Sequence, residues 1–213
     1  MHEIWPVIGL SLYVALIAVT ISAVIGVPLG TWLGLTEFRG KRWVVTLVHT
    51  GMAVPPVVVG LLLYLLLSRS GPLAAWGWLF TPKAMILAQV ILDLPFVIGI
   101  TQSAVAAAPF ELYQQIRSLG ATNGQARWLM LREARGGVVL ALATALGRSM
   151  SEVGAVWMVG GNIQGHTRVL TTAIVLETSK GQFSVALILA AALMAIALAL
   201  NIVIFRLHGR AAP

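Results

Sequence analysis

Nine consecutive residues, Gly147 through Ala155, hold the first chemistry to weigh, because Arg148 and Glu152 stand four apart with Ser149 and Ser151 between them in an otherwise apolar run. On a helix that spacing sets opposite charges one turn apart on one face. At the helical rise they would lie about 15 and 21 Å from the start of the run. A charge at membrane depth costs about 2.5 to 3.5 kcal/mol on insertion scales, so such groups face a bundle interior or a cavity, usually in pairs. Two readings follow. The pair could neutralise itself and tie helices together, at little net gain in stability, or it could line a polar path or gate. Asp93, beside Leu94 and Pro95 in another apolar run, is a possible third member.

The same residues could be drafted for catalysis, with Ser149, Ser151, Glu152 and Asp93 as an intramembrane constellation. A nucleophile needs a base within hydrogen-bond reach, and the chain has neither a G-x-S-x-G turn nor a histidine in those runs to serve. Zero cysteines exclude disulfides, thiolate nucleophiles and thiolate metal sites. A zinc site needs three or four ligands, so a lone His166 in a polar loop reads as a solvated side chain and no metal is expected. His49 reads likewise, beside a kink at Pro55 and Pro56.

The elements that must position these groups are membrane helices. Of 213 residues 59% are hydrophobic and 10% charged, with a mean hydropathy of +0.92, where a soluble domain carries about 25% charge. Apolar runs cover about 7 to 35, 44 to 67, 84 to 108, 138 to 160 and 182 to 205, each long enough for one hydrocarbon core. The expectation is an all-α integral membrane protein with about five transmembrane helices, forming one domain over residues 1–213. Pro28, Pro55, Pro56 and Pro95 each remove a backbone donor inside a run, which permits a broken or re-entrant helix there. His2 and Glu3 stand where a cleaved leader would be basic, so the first span is expected to stay.

A net charge of +7 raises nucleic acid as a partner for a soluble protein, but here its distribution reports orientation and no nucleic acid is expected. Arg39, Lys41 and Arg42 follow the first span; Arg117, Arg127, Arg132 and Arg135 follow the third; Arg206 and Arg210 follow the fifth. The other side holds only Arg69, Lys83, Arg168 and Lys180. The positive-inside rule then places the amino terminus outside and the carboxyl terminus in the cytoplasm.

Residues 109 to 137 form the one extended polar stretch. Phe110, Tyr113, Ile116 and Leu119 recur at helical spacing beside Gln114, Gln115, Arg117 and Ser118, which predicts a short amphipathic helix. Gly120 suits its carboxyl-terminal cap. Thr122 and Gln125 fit a capping box that starts a second helix, with Asn123 and Gly124 in its first turn. A helix-turn-helix of this kind could rest on headgroups or dock a cytoplasmic partner.

Here the sequence resembles a family: Ser118-Leu119-Gly120-Ala121-Thr122 is similar to the Leu-Gly-Ala core of the EAA loop in importer permeases of the ATP-binding-cassette class. The resemblance implies the type I importer permease fold and gives the coupling role to Gln114, Gln115, Arg117, Ser118, Leu119, Gly120 and Ala121, which would insert into an ATPase subunit. Gln114-Gln115-Ile116 stands in place of Glu-Ala-Ala, and Arg132-Glu133 near the usual Leu-Pro. The resemblance implies a separate ATP-binding-cassette ATPase dimer, and in keeping with it none of Lys41, Lys83 and Lys180 sits in a phosphate-cradling G-x-x-x-x-G-K-[ST] setting. No cofactor is expected on this chain, and ATP is used by the partner. Five helices are few to enclose a path, so a two-fold pair with a second copy is expected.

Gly160 through Arg168 is too polar and glycine-rich for lipid, and the apolar pattern resumes from Val169, which predicts an outer loop leading into a short helix. Residues 147 to 174 resemble the oxyanion-importing branch of these permeases, nearest the tungstate permeases, then those for molybdate and sulfate. Asn162, Thr167 and Arg168 are the outer-loop candidates, since a tetrahedral dianion needs hydrogen-bond donors and positive charge. The resemblance implies an extracytoplasmic oxyanion-binding protein as partner and a prokaryotic cytoplasmic membrane as location. A self-sufficient anion channel stays as the rival transport reading.

Overall fold

The computed structural model describes residues 4–209; His2, Glu3 and Arg210 lie outside them, as does the side chain of Phe110. Ten α-helices run in chain order: α1 Ile4–Leu35, α2 Lys41–Met52, α3 Pro56–Leu67, α4 Pro82–Ala106, α5 Phe110–Ser118, α6 Asn123–Glu133, α7 Arg135–Ser151, α8 Gly154–Gly160, α9 Leu170–Ser179 and α10 Phe183–Gly209.

The five expected spans are resolved into three continuous helices and two broken ones. α1, α4 and α10 are each long and apolar enough to cross a membrane alone. The run at 44–67 is not one helix: α2 and α3 meet at 94°. Pro55 is extended at φ −62° and ψ 127°, and Pro56 opens α3 at a position where its missing N–H costs nothing. The run at 138–160 bends by 57° between α7 and α8. Pro28 and Pro95 sit inside α1 and α4 without ending them.

Helix packing centres on α1 against α4. In lipid the hydrophobic effect gives no drive for helix association, so close van der Waals contact must supply it. Gly30 lets the two backbones approach closely: a Cβ there would lie 2.6 Å from the Ile98 carbonyl oxygen and 2.8 Å from Thr101 Cβ. Met85, Ala88, Val156 and Val159 join α4 to α8 in the main apolar cluster. A second cluster packs Ala15, Leu146 and Met150 between α1 and α7. Along α10 little is buried, and Leu187, Met194 and Leu198 are exposed apolar side chains that suit lipid contact.

The polar loop folds as expected into a helix-turn-helix. Gly120 takes φ +89°, and the N–H groups of Gly120 and Ala121 bond the carbonyls of Arg117 and Ile116, the paired bonds of a Schellman ending. Thr122 and Gln125 exchange the two bonds of a capping box, at 2.8 and 3.3 Å. Two details differ from expectation. α7 already begins at Arg135, so the loop is shorter than 109–137, and Leu119 is 89% exposed rather than continuing a buried stripe. Ala126 and Met130, fully buried, anchor α6 to the spans and leave α5 projecting.

Candidate functional site in the broken fourth span

The 57° bend after Ser151 strips several backbone groups of their helical partners, and side chains from two other helices and from α7 itself take them up. Gln89 Nε2 on α4 donates to the Ser149 carbonyl at 2.9 Å. The Thr171 hydroxyl on α9 donates to the Glu152 carbonyl at 2.9 Å. Ser151 Oγ donates to the Arg148 carbonyl at 3.1 Å. The Ser11 hydroxyl on α1 donates to the Val7 carbonyl and accepts the Leu170 N–H at 2.8 Å, which fixes the start of α9 beside the bend. Irregular backbone at membrane depth persists only where it is satisfied by protein or lines a cavity, and this bend meets that condition.

The charged residues are arranged otherwise than the spacing predicts. Arg148 and Glu152 do not form an intrahelical pair, because α7 ends between them. Glu152 is extended at φ −71° and ψ 129°, and its Oε1 accepts the Ala155 N–H at 3.1 Å, capping α8. The Arg148 guanidinium carbon instead lies 4.9 Å from the centre of the Phe96 ring. Asp93 pairs with Ser149, whose hydroxyl donates to Asp93 Oδ2 at 2.5 Å. Among the described residues, ion pairs occur only at Lys41–Glu37 and Lys180–Glu177, at helix ends.

Arg148, Ser149, Glu152 and Asp93 are thus gathered at one place, with Ser151 beside them on an exposed face. Three buried polar atoms there have no hydrogen-bond partner: Gln89 Oε1, Asp93 Oδ1 and Arg148 Nε. Below the bend lies a cavity of about 10 Å³ lined by Ser11, Gln89, Ser149, Glu152 and Thr171 among others. That is room for one water and none for a tetrahedral oxyanion.

The outer-loop candidates divide. Thr167, fully buried, donates to the Gly160 carbonyl at 2.5 Å and accepts the Ile163 N–H at 2.9 Å, so it knots the loop. Asn162, at φ 50° and also buried, accepts Arg168 Nε at 3.3 Å. Arg168 lines a mouth cavity of about 220 Å³ with His166, Gln164 and the Pro6, Val7 and Leu10 side chains of α1. In the loop helix, Gln114, Gln115, Arg117, Ser118, Leu119 and Gly120 are all exposed and Ala121 is half-buried. Arg117 Nη1 also donates to the Ala121 carbonyl, closing the turn.

Gln89, Phe96, Ser11 and Thr171 were not among the sequence candidates. Gln89 was legible, as a polar side chain one turn before Asp93 on the same face. Phe96 carries no signal in the chain, since an aromatic in a lipid span is ordinary.

Three continuous spans and two broken spans, with a polar seam at one break, define a multi-pass membrane protein. Residues 26–213 match the family described as binding-protein-dependent transport system inner membrane component. Along 207 residues the chain is 44% identical to a probable anion ABC transporter permease protein of Haloferax volcanii, covering 95% of this chain and 89% of that one. It is 40% identical over 206 residues to the tungstate uptake system permease protein TupB of Peptoclostridium acidaminophilum, covering 97% and 90%. The TupB of Campylobacter jejuni is 41% identical over 171 residues, covering 80% and 72%. The chain belongs to the family of inner membrane components of binding-protein-dependent transport systems.

Proposed function

We propose that this chain is the transmembrane permease subunit of an ATP-driven importer for a tetrahedral oxyanion, tungstate first, with molybdate or sulfate as the alternative cargo. The observation that carries it is the broken fourth span, a polar seam around Arg148 and Asp93 at membrane depth, in a chain similar over nearly its whole length to permeases for tungstate and for an anion. Such a seam is costly to keep in lipid unless solute passes it. Arg148, Ser149, Ser151, Glu152 and Asp93 are read as the path or gate, and Asn162, Thr167 and Arg168 as the outer mouth where an external oxyanion-binding protein delivers cargo.

The exposed α5 and its Gly120 turn are read as the element that couples to a separate ATP-binding-cassette ATPase dimer. ATP is consumed there, and this chain binds no cofactor. The exposed apolar faces of α2 and α3 suit contact with lipid and with a second copy, which would place the path on a two-fold axis. The basic residues favour an outside amino terminus and an inside carboxyl terminus. Cells lacking this chain test the reading: they should lose tungstate accumulation and regain it with the chain restored, while unchanged accumulation of all three oxyanions would refute it.

A further inference from the structure

We propose that Phe96 is a positioning residue that holds the Arg148 guanidinium over its ring, leaving N–H groups of Arg148 to receive the oxygens of a tetrahedral dianion in transit. The inference rests on the oxyanion reading above and adds to it the atoms that meet the cargo.

The ring centre and the guanidinium carbon are 4.9 Å apart, within the range where an aromatic face attracts a cation through its quadrupole. That contact engages no oxygen acceptor for the five N–H donors. Among the described residues none of those donors meets an acceptor, and Nε is both buried and unpartnered. The nearby carboxylates form no ion pair with Arg148 among the described residues. Asp93, which lies within the field of Arg148, accepts the Ser149 hydroxyl. Glu152 accepts the Ala155 N–H. A buried Nε–H without an acceptor keeps its desolvation cost uncompensated, and an anion with several oxygens can compensate it through the planar fork.

An aromatic partner suits transit better than a carboxylate would. A paired carboxylate must be displaced by each arriving anion and repels it throughout. The ring fixes geometry without neutralising the charge. Conduction further needs binding weak enough for release.

The test is a double-mutant cycle on ATP-driven tungstate uptake by proteoliposomes holding the chain with its ATPase and binding protein. Phe96→Leu should lower uptake about tenfold, and Phe96→Tyr, which keeps the ring face, should retain it. In an Arg148→Gln background, Phe96→Leu should add no further loss, since its effect is transmitted through Arg148. Phe96→Met, similar in size but without a ring, replaces Phe96→Leu should the latter assemble poorly. Normal uptake by the ring-less variants, or losses that multiply in the double variant, would overturn the role of Phe96. Normal uptake by Arg148→Gln alone would overturn the path reading as well, so the two failures are distinguishable.

Discussion

Ser149 Oγ donates to Asp93 Oδ2 at 2.5 Å across the interface of α7 and α4, and this bond keeps the carboxylate engaged one residue away from Arg148. Removing the hydroxyl leaves Asp93 with no donor and a cation in its field. Ser149→Ala should therefore let Asp93 capture Arg148 and lower uptake by about tenfold, equivalent to about 1.4 kcal/mol. Asp93→Asn in the same chain should restore much of it, because the captor loses its charge. Uptake by the single and double variants, normalised to membrane content, decides this; a double variant as defective as the single would count against it.

Glu152 offers a sharper contrast. As a cap on the Ala155 N–H, it needs an acceptor oxygen more than a charge. Glu152→Gln should transport nearly as the parent does, whereas Glu152→Ala should lose about 1 kcal/mol of local stability at the start of α8 and transport poorly. Thermal unfolding in detergent together with uptake measures both. Equal defects in the two variants would return Glu152 to an electrostatic role.

Gly30 meets the α4 backbone so closely that no side chain fits without a shift. Gly30→Val should destabilise the chain by about 1 to 3 kcal/mol and lower the yield of folded protein. Gly124, exposed in α6 with open space around it, gives the control: Gly124→Ala should be neutral or slightly stabilising. Size-exclusion profiles before and after heating separate the two.

Gly120 sits at φ +89° in open surroundings, so a side chain there strains the backbone rather than colliding with a neighbour. Gly120→Val should cost about 1 kcal/mol or more locally and tilt α5. The expected phenotype is an inserted chain that still copurifies with its ATPase yet loses solute-stimulated ATP hydrolysis. Normal stimulation would return α5 to a simple surface helix.

Much of this was legible in the chain, for reasons that differ by element. Long apolar runs announce spans, and Gly120 with the Thr122 and Gln125 pair announces a turn, because these signals are local. The right-angled break at Pro55 was permitted by the sequence, while Pro28 and Pro95, with the same missing donor, sit in intact helices. The Arg148 and Glu152 spacing misled because it presumes an unbroken helix. What ends that helix is distant, with Gln89 and Thr171 taking its carbonyls, and no local pattern encodes those contacts. Phe96 was invisible for the same reason.

The most direct test of the account is tungstate flux into proteoliposomes containing this chain, its ATPase and its binding protein, followed by mass detection of the metal with ATP inside, with ATP absent, and with the binding protein omitted. The account predicts accumulation only when ATP and the binding protein are both present. Downhill tungstate flux of the same size without ATP would mean a self-sufficient channel, and no flux of any oxyanion under the complete condition would contradict the importer reading itself.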